Sequence, residues 1–101
     1  MSFIDYFQQN FIPKVNKNVN IKFRKEISGD KGYDNNLGSL YGVELESDNY
    51  SGYIYFWDKG FLDFSVICLE PYEELLPVQM IEVDSYTNQA GYVNEVIRYF
   101  M

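Results

Sequence analysis

The stretch Gly52-Tyr53-Ile54-Tyr55-Phe56-Trp57-Asp58-Lys59-Gly60-Phe61-Leu62-Asp63-Phe64-Ser65-Val66-Ile67 decides the fold. Residues 50–57 are the most β-prone run in the chain, because aromatic and β-branched side chains fit a pleated, half-buried surface. Asp58-Lys59-Gly60 supplies a tight three-residue turn with glycine where a positive φ is needed. Residues 61–69 then return as the partner strand. A period of two puts Tyr53, Tyr55 and Trp57 on one face of this hairpin and Ile54 and Phe56 on the other. Both faces are apolar, so one packs in the core. The other is a solvent-facing aromatic platform, unless the loop 28–38 folds over it or the sheet curls to enclose both faces.

Working outward, residues 39–46 alternate, with Tyr41, Val43 and Leu45 opposite Gly42, Glu44 and Glu46. Asp48-Asn49 signals the turn into the hairpin. Residues 19–27 alternate too: Val19, Ile21, Phe23 and Ile27 face one way, and Lys25 breaks the apolar side as an inward charge can at a sheet edge. Between them, residues 28–38 carry three glycines and several turn-formers and read as a long loop. On the other flank, Pro71-Tyr72-Glu73-Glu74 reads as a turn and 75–83 as a last strand, whose Pro77 favours a bulge or an edge.

The ends change period. Phe3, Phe7 and Phe11 recur at helical spacing behind Ser2, with Asp5 placed for a capping box and Pro13 to close the helix. From Ser85 onward, Ala90, Val93, Ile97 and Phe100 recur likewise, and Gly91 weakens the start. The order α-β-β-β-β-β-α with short turns predicts one α+β domain over residues 1–101: an antiparallel five-strand meander sheet with the N- and C-terminal helices packed on one face.

The 101 residues carry 8 basic and 15 acidic side chains, a formal net charge of −7, and are 47% hydrophobic. That composition excludes a disordered acidic tail. Size scaling gives a folded surface of about 6,000 Å², enough for one core. No apolar run approaches the roughly 18 residues of a membrane span. Met1-Ser2-Phe3-Ile4-Asp5 has neither the basic nor the apolar region of a signal peptide. A single cysteine, Cys68, fits a reducing, cytoplasmic setting. Six of the basic residues lie in 1–31 (Lys14, Lys17, Lys22, Arg24, Lys25 and Lys31), so the rest of the chain is strongly acidic. Such a surface repels nucleic acid and attracts basic partners.

With no histidine and one cysteine, Ser-His-Asp and Cys-His catalysis and the common zinc sites are impossible. Gly29, Gly32 and Gly38 match no phosphate-binding glycine pattern. Glu44 and Glu46 share a strand face and could form a carboxylate dyad or hold a hard metal. Acids on an outer strand face are ordinarily just solvated, and the expectation is no catalytic residue, no metal and no cofactor. Recognition is the better fit: Tyr53, Tyr55 and Trp57 as aromatic anchors, with Glu44, Glu46, Asp58 and Asp63 around them, form the expected partner-binding set.

Gly52 to Ile67, followed by Glu73-Glu74-Leu75-Leu76-Pro77 and Ile81-Glu82-Val83-Asp84, resembles small immunity proteins of bacterial contact-dependent growth inhibition and other polymorphic toxin systems, closest to the TriTu-type group. The resemblance covers roughly residues 50–85. It implies a cytoplasmic protein that is not an enzyme and neutralises a cognate toxin C-terminal domain, including tRNA-cleaving nucleases that use elongation factor Tu. It carries over no binding residue. Two alternatives remain open at this point: a generic acidic interaction domain or homodimer, and a small-ligand or metal-dependent enzyme built on carboxylates.

Overall fold

A computed structural model describes residues 2–101. Helix α1 (Phe3–Asn10) begins at a full capping box. Ser2 Oγ accepts from the Asp5 N–H at 3.2 Å, and the Asp5 carboxylate accepts from the Ser2 N–H at 3.3 Å. Both groups would otherwise leave helix-end donors unpaired. A 3-10 turn at Ile12–Lys14 takes in Pro13. Strands β1 (Asn20–Glu26), β2 (Leu40–Glu46), β3 (Tyr50–Trp57), β4 (Phe61–Leu69) and β5 (Tyr72–Glu82) follow, then helix α2 (Ala90–Ile97) between two 3-10 turns.

The strands pair antiparallel in the order β1-β2-β3-β4-β5, a meander. Both helices lie on one face. Phe3, Phe7 and Phe11 from the first helical segment and Val93, Val96, Ile97 and Phe100 from the second meet Val43, Leu45, Ile54, Leu62, Phe64 and Val66 of the sheet in one buried cluster. The fold is therefore α+β with terminal helices, as the alternating runs and helical stripes require. Its surface of 6020 Å² agrees with the scaling value for this mass. Among the described residues, no helix is long and apolar enough to cross a membrane.

Three expectations need correction. The turn expected at 71–74 is Glu70-Pro71 instead: β5 already starts at Tyr72, which pairs with Leu69, and Glu73 and Glu74 pair with Cys68 and Ile67. Their charge does not exclude a strand, because β5 is an edge and both carboxylates stay hydrated. Strand β5 also ends at Glu82 rather than at 83. Ile27 is not an inward strand residue; it is 44% exposed, and its N–H turns to the Asp30 carboxylate at 2.8 Å, which opens the following loop. Pro77 sits where the β4–β5 register slips between Phe64 and Val66, so it occupies both an edge and a bulge. Gly60, at φ 106°, closes the β3–β4 turn through a hydrogen bond to the Trp57 carbonyl.

Candidate functional site

The face of the sheet away from the helices carries no covering element along most of its length. Register and pleat place its residues in rows. One row runs Arg24, Gly42, Tyr55, Asp63, Met80; the next runs Lys22, Glu44, Tyr53, Ser65. At its centre the Tyr53 and Tyr55 rings stack, with centroids 4.5 Å apart and planes 27° from parallel. Each phenol reaches diagonally to an acid in the neighbouring row. Tyr53 donates to Asp63 Oδ1 at 2.9 Å, and Tyr55 donates to Glu44 Oε2.

Gly42 makes this crossing possible. It lies directly opposite Tyr55, and a Cβ there would overlap Tyr55 Cδ1 and stand 3.0 Å from Cε1. The missing side chain lets the ring lie over β2 towards Glu44. Arg24, beside Gly42 on β1, places its guanidinium 5.4 Å from the Tyr55 ring centroid and pairs with Glu26 at 3.3 Å. The cluster is polar but partly dried. Burial pushes the Tyr53 phenol well above its ordinary range, and its bond to Asp63 adds to this. Burial raises Tyr55 too, with Glu44 adding and Arg24 opposing. Asp63 is raised by burial, against the Tyr53 hydrogen bond. Both phenols are thus held neutral as hydrogen-bond donors. Glu44 and Asp63, on two different strands, each accept a hydrogen bond from one of the stacked tyrosines. Among the described residues no group of three or more metal-ligating side chains converges.

A groove of about 520 Å³ opens beside the stack, lined by Asn20, Lys22, Glu44, Glu46, Ser51, Tyr53, Tyr55, Ser65, Ile67 and Val78. Of the residues singled out from sequence, Glu44, Glu46, Tyr53 and Tyr55 line this groove, and Asp63 joins it through Tyr53. Trp57 and Asp58 do not. The loop between β1 and β2 closes over their end of the sheet. Leu40, opposite Trp57 on this face, is fully buried. A Cβ on Gly32 would stand 2.5 Å from Glu26 Cγ, and Lys59 Nζ donates to the Asn35 carbonyl. Asp58 accepts from the Ser39 N–H at 2.9 Å, tying the β3–β4 turn to the loop. Trp57 Nε1 is buried under this cover without a hydrogen-bond partner. The loop therefore covers one end of the aromatic face and leaves the other open.

Sequence inspection missed the apolar flank of the same face. Leu69, Tyr72, Val78 and Met80 are all exposed, Tyr72 and Val78 by more than two-thirds, and all fall on the helix-free side of β4 and β5. The signal was present as alternation in 72–82, but the two register slips in β5 scramble its period. The charge is partitioned by side as well. The helix-free face holds Lys22 and Arg24 against Glu26, Glu44, Glu46, Asp63, Glu74 and Glu82. The helix side is balanced: Lys14, Lys25 and Arg98 against Asp5, Glu73 and Glu95. The remaining acid excess lies in the loops at the two ends.

Compared with known proteins, the chain matches no family model, no curated protein and no solved structure.

Proposed function

We propose that this chain is an immunity-type inhibitor, a cytoplasmic protein that binds a basic toxin domain through its helix-free sheet face and blocks it stoichiometrically without chemistry of its own. The observation that carries this reading is the placement of the acid excess: it surrounds the Tyr53–Tyr55 stack on the uncovered face, while the helix side is balanced. Rigid aromatic rings at the centre and charged groups around them are the composition of a protein-binding hot spot. Exposed Tyr72, Val78 and Met80 extend the apolar area to one side. A nuclease must bind phosphate and so presents basic groups, and opposite charge speeds its encounter with an acidic partner. A standard interface takes about 800 Å² from each partner, a modest part of the 6020 Å² available here.

The resemblance of residues 50–85 to TriTu-type immunity proteins favours a nuclease partner, including a tRNase acting with elongation factor Tu. A homodimer through this face is disfavoured, because it would set one acidic surface against another. The test is co-expression with the C-terminal domain of the large secreted protein encoded immediately upstream. Survival only when both are present, with a 1:1 complex on gel filtration, supports the proposal. A non-toxic neighbour, or a toxic one that this chain does not neutralise, overturns it.

A further inference from the structure

The groove beside the tyrosine stack has an acidic wall and an aromatic floor. One wall is Glu44 and Glu46 on β2, and the floor is Ser51 and Tyr53 on β3. Tyr55 occupies one side of the Tyr53 ring, so the other side turns towards Ser51 and the groove. Lys22 also lines the groove, in register with Glu44, but it forms no salt bridge with either wall carboxylate. Arg24–Glu26 is the only ion pair among the described residues. Glu44 gives one oxygen to Tyr55 and keeps the other, and Glu46 is exposed on β2. The same face already shows how it holds a guanidinium: Arg24 lies over Tyr55 and meets a carboxylate at its edge. The volume of about 520 Å³ falls within the range of small-ligand pockets.

We infer that this groove seats one arginine side chain of a partner protein, with its guanidinium plane against Tyr53 and its N–H groups on Glu46 and the free oxygen of Glu44. The inference deepens the proposed function, on which it rests for the basic partner, by naming the group that enters the face. Arginine is favoured over lysine because a planar guanidinium can stack on an aromatic ring while donating in two directions to carboxylates, which a hydrated ammonium cannot do.

The test is an NMR titration of the isolated chain with the capped tripeptides Gly-Arg-Gly, Gly-Lys-Gly and Gly-citrulline-Gly. Citrulline keeps the shape of arginine and removes its charge. Saturable shifts of the Glu44, Glu46, Ser51 and Tyr53 amides with the arginine peptide, absent with citrulline and weaker with lysine, support the assignment. Glu46→Gln should weaken arginine binding about tenfold, the loss of one charge-assisted hydrogen bond. Because Glu46 is exposed and supports no internal hydrogen bond or salt bridge, this variant leaves the fold intact. Equal response to arginine and citrulline, shifts outside the groove, or no saturable shift overturns the inference. A chain that rescues cells from its toxin but fails this titration loses the arginine seat alone. One that passes it without rescuing loses the toxin assignment alone.

Discussion

Replacing Gly42 with alanine tests whether the tyrosine cluster is held by the room that this glycine leaves. The new methyl overlaps the Tyr55 ring and lies 3.2 Å from the Ile54 carbonyl oxygen. The ring has to lift off β2. Three contacts weaken together: the hydrogen bond to Glu44, the stack on Tyr53 and the contact with Arg24. A hydrogen bond to a charged group contributes about 1.5–3 kcal/mol, an aromatic pair about 0.5–1.5 kcal/mol and an exposed cation–π contact about 0.5–1 kcal/mol. Partial relaxation retains some of this, and alanine lowers the entropy of the unfolded chain by about 0.4–1 kcal/mol. The net loss is about 2 kcal/mol. For a domain of this size that lowers Tm by roughly 10 °C. Urea unfolding of Gly42→Ala, Tyr55→Ala and the double variant measures it. The close approach to the Ile54 carbonyl persists in both backgrounds and cancels in the cycle. The expected result is a loss of about 2 kcal/mol when Tyr55 is present and close to none when it is absent. An equal loss in both backgrounds, or no loss in the parent chain, would refute the role given to Gly42.

Gly91 lies in the first turn of α2 with nothing within 4 Å of a Cβ built on it, so Gly91→Ala should stabilise by about 0.5–1 kcal/mol in urea unfolding; a loss would mean that α2 does not begin there. Ser2→Ala removes the acceptor for the Asp5 N–H and should cost about 1 kcal/mol; an unchanged melting curve would remove the capping box from the account. The raised phenols make a prediction about alkali. Tyr53 and Tyr55 bind their protons more tightly folded than unfolded, so their contribution to stability is present below about pH 10 and is lost as pH climbs through their folded values. Spectrophotometric titration should show Tyr53 and Tyr55, with Tyr86 also raised by burial, ionising later than the other tyrosines, and Tyr53→Phe should remove one late phenol. Complete ionisation near pH 10 with an intact far-UV spectrum would contradict this.

The strand order and the helix faces were legible because period and turn chemistry are local properties. Tyr53, Ile54, Tyr55 and Phe56 alternate in the structure as their spacing demands, and Phe3, Phe7 and Phe11 are all buried. The diagonal bonds from Tyr53 to Asp63 and from Tyr55 to Glu44 were not legible. Alternation says which residues share a face, but a diagonal contact depends on register and on the space above Gly42. Trp57 and Asp58 stand apart from the groove of the tyrosines for a similar reason. Adjacency along β3 does not reveal where the loop 27–39 comes down, and here it comes down at the Leu40, Trp57 and Asp58 end of the sheet. Glu73 and Glu74 read as turn residues because charge correlates with loops. An edge strand hydrates its side chains well enough to remove that correlation.

The central claim is that the helix-free face, and not the helix side, meets the partner. In the co-expression assay, Glu44→Lys, Glu46→Lys and Glu74→Lys introduced together reverse that face, while Glu73→Lys with Glu95→Lys reverses charge on the helix side. Both sets lie on exposed or half-buried positions with no salt bridge to lose. The account predicts that the first variant, shown folded by its far-UV spectrum, no longer protects cells, and that the second protects as well as the parent chain. Protection retained by the face variant, or lost equally by both, would contradict it.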